Sequence, residues 1–134
     1  MDLPVVIHTK SAHHETVKGI KKFGIPERQG IIQGFREDAA ALKDWLKLGF
    51  YLSVGIPILS YPSKELFDLI RNIPSERLLI ETDTAAMRTR SQGLELATLR
   101  LIAEKMAEIR SVTLEELGSV TTKNLMEVFK LTGK

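Results

Sequence analysis

Apolar and polar positions along the chain switch repeatedly between two periods. Short apolar runs rich in β-branched residues recur four times, and each gives way to apolar residues at helical spacing. The first run covers residues 3–7 and closes on His8. The spacing then predicts a helix over 11–23, with Ser11 as N-cap and Val17, Ile20 and Phe23 as its apolar face. Gly24 and Pro26 stop it. A second strand is predicted over 30–34, then a helix over 38–48 that Asp38 caps and Gly49 ends. Residues 50–55 read as the third strand. A loop containing Pro57 and Pro62 follows, then a helix over 63–71. Residues 77–82 are the fourth, a near-continuous apolar run typical of a strand buried on both faces.

From one strand to the next the repeat spans roughly 20–27 residues, the scale of a βα unit returning to a parallel neighbour. A polar loop over 84–92 breaks the rhythm. Beyond it, Leu96, Leu99, Ile102, Met106 and Ile109 mark the apolar stripe of a helix over 94–110. The capping box Thr113-x-x-Glu116 opens a second helix over 114–118, and a third is predicted over 121–130. No linker or low-complexity segment interrupts the order. The expectation is one α/β domain over residues 1–134, with four parallel strands followed by C-terminal helices.

Composition changes this picture little. The 134 residues are enough to bury a core, and 43% hydrophobic with 27% charged residues is an ordinary globular balance. A net charge of +2 does not announce a nucleic-acid binder, so phosphate contacts would need a local basic cluster. The absence of cysteine excludes disulfides and thiolate metal sites. No apolar run is long enough to span a bilayer, and Asp2 and Pro4 are unlike a signal peptide. A cytoplasmic location and no membrane partner are expected.

In parallel α/β folds the loops at the carboxyl ends of the strands converge, and ligands bind there. Those ends carry His8, Gln33, Ser53 and Gly55, and then Glu81, Thr82 and Asp83. An imidazole and a carboxylate on different strands can share a divalent cation, and an aspartate there can orient or deprotonate the attacking water. Each residue also has a plainer role. A strand-end histidine is more often a hydrogen-bonded structural group, and Asp83 can cap the following turn. His13 and His14 fall in the first turn of a helix, where exposed or capping roles are expected. Arg88, Arg90 and Arg100 form a basic cluster suited to phosphate, or simply a solvated loop. Trp45 and the leucines and methionines of the tail read as core.

Particular residues carry a family resemblance. Residues 2–8 (DLPVVIH) resemble the TatD-family strand written PV-x-x-H, and Ser11-Ala12-His13 resembles the start of its next helix. Residues 73–83 (IPSERLLIETD) resemble the signature ERLL-x-ETD-AP. Gln33-Gly34-Phe35 stands where that family has H-x-F-[ST]-G, and residues 121–129, with Asn124, resemble its terminal T-x-x-N-x-x-x-x-F helix. The likeness covers essentially the whole chain. It implies strands five to eight of a (β/α)8 TIM barrel that holds one or two divalent metals (Mg, Mn or Zn) and hydrolyses phosphodiesters, typically in DNA. By that resemblance His8 is a metal ligand. Asp83 is both ligand and catalytic carboxylate, and Glu81 and Thr82 position it. Gln33, Arg88 and Arg90 are left as substrate contacts. The chain departs from the pattern at Gln33, where the family has its second histidine, and at Thr84-Ala85-Ala86, where it has A-P-Y. The H-x-H of strand one and the glutamate of strand four are not in this sequence.

Four parallel strands alone leave two unpaired edges and an open apolar face, which aggregate unless covered. The expectation is therefore an oligomer: a homodimer, or a complex with a chain carrying the N-terminal half-barrel. A less favoured arrangement has the tail helices covering the open face. The function expected is metal-dependent hydrolysis of DNA by the completed barrel. The alternative is a non-catalytic degenerate half-barrel with a structural or interaction role.

Overall fold

A computed structural model of the chain describes residues 3–26, 28–82 and 92–131, the last segment with side chains from 96 onward. Four strands, β1 (Val6–Ile7), β2 (Ile31–Ile32), β3 (Tyr51–Val54) and β4 (Leu78–Ile80), pair in parallel and in sequence order. Each pair is joined by helical segments: α1 (His13–Phe23), then α2 (Ala39–Lys47), then the short α3 (Pro57–Ser60) with α4 (Lys64–Arg71). Sequential parallel order with a helix in every crossover is the connectivity of a (β/α)8 barrel, here over four strands. Two tail helices follow, α5 (Gln92–Arg110) and α6 (Leu114–Val128).

Side chains alternate along each strand, so one face packs under the helices and the other faces away. Ile32, Leu52, Val54 and Leu78 join Val17, Leu42, Trp45, Ile70, Ile102 and Met106 in the main core. Ile31, Tyr51 and Leu79 lie on the opposite face, where Val128 of α6 packs against them. The same helix attends to the free edge of β4: Asn124, 2% exposed, donates its amide to Ser75 O at 2.7 Å and Leu78 O at 2.8 Å. So the tail covers one edge and part of the open face. The β1 edge carries Leu3 and Val6, 59% and 56% exposed.

Local signals explain most boundaries. Asp38 accepts from Ala41 N at 2.8 Å, Ser63 accepts from Leu66 N at 3.1 Å, and both halves of the Thr113–Glu116 capping box form. Other expectations are corrected. Ser11 is not an N-cap. Ala12 N donates to Thr9 O in a tight turn, which puts Ser11 at φ 74° rather than in the extended conformation a cap needs. Pro57 opens α3 inside the expected loop, its missing N–H costing nothing at a first turn. The two tail helices over 114–118 and 121–130 are one. Gly118 does not end α6, because Leu117, Thr121, Asn124 and Val128 form a continuous buried stripe across it. Phe23 and Leu96, expected on apolar faces, are 83% and 76% exposed.

Candidate functional site

The carboxyl ends of the strands meet around a cavity of about 580 Å³ whose walls include His8, Gln33, Glu37, Gly55, Tyr61 and Glu81. Alternation explains the convergence. Register pairs Ile7 with Ile32 and Ser53 with Leu79, so Gln33 and Glu81 continue the face opposite the helices, at the same ends as His8. Two glycines make the floor. At Gly34, φ 63°, a Cβ would sit 3.6 Å from Glu81 Oε1 and 3.7 Å from His8 Cε1. A Cβ on Gly55 would lie 3.1 Å from Glu81 Cγ. The imidazole of His8 and the carboxylate of Glu81 thus flank a single small residue.

Behind the rim, Glu37 holds two elements together. One oxygen accepts from Thr9 Oγ1 at 2.5 Å and the other from Trp45 Nε1 at 2.9 Å. His13, expected to be exposed, is buried instead. It shares a helix face with Val17, meets Trp45 edge-on at 5.6 Å, and places Nε2 3.2 Å from Asp44 Oδ2. The approach is close, but it is not an aligned hydrogen bond. His14 is exposed, as expected. Beside it, the Ala41 backbone N–H holds the Asp38 carboxyl below its usual range, with smaller help from the two histidines.

Of the residues singled out from sequence, His8 and Gln33 come together in this cavity. Asp83, Arg88 and Arg90 lie outside the described residues, and so does the loop over 84–91. Arg100 is turned to solvent on α5 and pairs with Glu104 at 2.9 Å. Glu81, a strand-end residue to which the resemblance gives only a positioning role, brings its carboxylate to the rim, as its alternation with Leu79 requires. Glu37 was missed, because its partners lie 28 and 8 residues away.

An imidazole nitrogen and a carboxylate oxygen at one rim suit a divalent cation in kind. They are short in number. Among the described residues no cluster of three or more His, Asp or Glu side chains is disposed to hold a metal. The amide of Gln33 is a poor substitute for imidazole.

Comparison with known proteins agrees with the fold. The family described as TatD related DNase matches residues 1–130. "Uncharacterized metal-dependent hydrolase YabD" of Bacillus subtilis (strain 168) is 32% identical over 134 residues, covering 98% of this chain and 52% of its own length. "Putative deoxyribonuclease tatdn3" of Danio rerio is 27% identical, covering 96% of this chain and 47% of its own. The crystal structure of the TatD homolog YJJV from Escherichia coli K12 superposes with a TM-score of 0.81 at 26% identity, over 98% of this chain and 51% of that one. The chain spans about half the length of the curated relatives it matches. The four parallel strands are thus a half-set of TIM-barrel units, and the chain belongs to the TatD related DNase family.

Proposed function

We propose that this chain is the ligand-bearing half of a metal-dependent hydrolase that cleaves DNA phosphodiesters, its barrel and site completed by a second chain. The observation that carries the reading is the convergence of His8 and Glu81 on Gly34 at the carboxyl rim. The names of the relatives, metal-dependent hydrolase and deoxyribonuclease, support it. His8 and Asp83 would hold a divalent cation with Glu81 beside them; when bound, it would polarise a phosphoryl oxygen and activate water. Gln33 would donate its amide N–H to a phosphate oxygen, with Arg88 and Arg90 as further phosphate contacts.

The second chain is either another copy or one bearing the N-terminal half-barrel. Exposed Leu3, Val6, Phe23 and Ile25, on β1 and around the end of α1, support a partner on that side. A cytoplasmic setting fits a cysteine-free chain in which, among the described residues, no helix is long and apolar enough to cross a membrane.

A second reading is favoured by one observation. Gln33 occupies the place of a histidine in the resembling pattern, as it would in a half-barrel kept for assembly alone. Light scattering after size exclusion tests the partner, and Mn²⁺ titration calorimetry with hydrolysis of labelled single-stranded DNA tests the chemistry. Hydrolysis lost on Asp83→Ala supports the enzyme. An assembled protein that binds no Mn²⁺ removes it.

A further inference from the structure

We propose that Glu37 is a positioning residue for His8, a strut fixed to the core at one end and to the turn after β1 at the other. The core end is rigid. Trp45 is fully buried, packs edge-on against Phe50 at 5.4 Å, and donates its indole N–H to Glu37 at 2.9 Å. At the rim end Thr9, which directly follows His8, donates its hydroxyl to the other carboxylate oxygen.

The turn needs holding. Lys10 and Ser11 both adopt left-handed backbone conformations, φ 42° and 74°, which side-chain-bearing residues rarely take in succession. Closure of the turn by Ala12 N on Thr9 O, at 2.8 Å, supplies one restraint, and Glu37 supplies the other. With the strut in place His8 leaves β1 in one direction, toward Gly34 and Glu81. Without it the turn can relax toward ordinary φ values and take the imidazole with it.

In the pattern H-x-F-[ST]-G, to which Gln33-Gly34-Phe35 corresponds, the place of Glu37 belongs to glycine, which has no side chain to reach Thr9. The inference rests on the reading of His8 as a donor at the rim, and it assigns Glu37 no contact with substrate or metal.

Two variants of the full chain test it, Glu37→Gln and Thr9→Val. The second leaves the Trp45 bond intact and keeps the test open if the first folds poorly. Three quantities are read: the His8 imidazole Cε1–Hε1 resonance, the Mn²⁺ concentration that half-broadens it, and the thermal midpoint. Positioning predicts that both variants shift or broaden the His8 resonance and raise the Mn²⁺ midpoint about tenfold, the usual scale for losing a group that orients a ligand. The double variant should do little more than either alone, since both act on one bond. A fall in thermal midpoint with the His8 resonance unchanged in both variants overturns the proposal and leaves Glu37 a merely structural residue. If the wild-type chain binds no Mn²⁺, the metal reading fails while the His8 resonance still decides the strut.

Discussion

Gly30 is where a single methyl group should separate β1 from the rest of the sheet. A Cβ there would lie 2.5 Å from Val5 O, 2.6 Å from Val5 Cγ2 and 2.8 Å from Phe50 Cε1. None of these neighbours can yield cheaply. Val5 O already accepts from Ile31 N at 2.8 Å, and Phe50 is fully buried. Restoring ordinary contact in Gly30→Ala requires a movement of about 1 Å, an overpacking strain of about 1–3 kcal/mol. Moving β1 also forfeits the bonds from Ile31 N to Val5 O and from Gln33 N to Ile7 O, each worth about 1 kcal/mol net. The total, about 3–5 kcal/mol, is a large share of the 5–15 kcal/mol that holds a typical domain folded. Since among the described residues β1 pairs only with β2, the cheaper escape is to detach β1 and keep β2, β3 and β4. Amide exchange distinguishes the two outcomes. In Gly30→Ala the Ile31 and Gln33 amides should lose protection while the Glu81 amide, bonded to Val54 O, keeps it. His8 would leave the rim with its strand. Wild-type protection at Ile31 and Gln33, with an unchanged urea midpoint, would refute this account of why the position is glycine.

Asn124→Ala strands the buried Leu78 carbonyl and frees that of exposed Ser75, and should cost about 1–3 kcal/mol in urea unfolding. Asn124→Asp should be worse, because an ionised carboxylate offers both carbonyls only another acceptor. Acid should weaken the fold through Asp38, Asp68 and Glu116, whose folded values are lowered by the Ala41 N–H, by Lys64 and by the Thr113 N–H respectively. Their contribution is complete above the ordinary values of 3.8 for the aspartates and 4.5 for Glu116, and is lost as pH falls through the lowered ones. A variant carrying D38N, D68N and E116Q should therefore lose thermal stability less steeply than wild type in that range. Val6→Lys, at a position 56% exposed, should leave the urea midpoint within about 0.5 kcal/mol yet reduce any oligomer to monomer in light scattering. An oligomer that survives it does not use the β1 edge.

What could be read in the sequence is what is decided locally. Asp38, Ser63 and the Thr113–Glu116 box cap their helices through neighbours three residues away. Four apolar runs separated by helices leave a parallel sheet as the natural outcome. What could not be read depends on distant parts of the chain. Gly118 is a fair local stop signal, yet its cost of about 1 kcal/mol against alanine is outweighed by the stripe from Leu117 to Val128 that α6 buries on β4 and its neighbours. His13 looks exposed until α2 brings Trp45 and Asp44 against it. At the site, the strand ends gave His8, Gln33 and Glu81. Glu37 was illegible, because a carboxylate just before an N-cap reads as an ordinary helix-start acid until Thr9 and Trp45 are seen on either side of it.

The two ends of the open face are treated differently, and this bears on how a half-barrel could serve a full site. At the amino ends of the strands, Val128 packs on Ile31, Tyr51 and Leu79. There Arg77 stacks on the Tyr51 ring at 4.9 Å, and burial beside the Glu127 carboxylate pushes the Tyr51 phenol up. That end is closed by the chain's own tail. At the carboxyl ends no such cover is present among the described residues, and His8, Gln33 and Glu81 line an open cavity. A partner completing the barrel under the proposed function would meet an asymmetric template. Among the described residues the β1 edge is bare, whereas the β4 edge has its Leu78 carbonyl already capped by Asn124. Strands added at β1 gain hydrogen bonds at once; strands added at β4 must first displace or accommodate α6. Under that proposal, assembly should therefore begin beside His8.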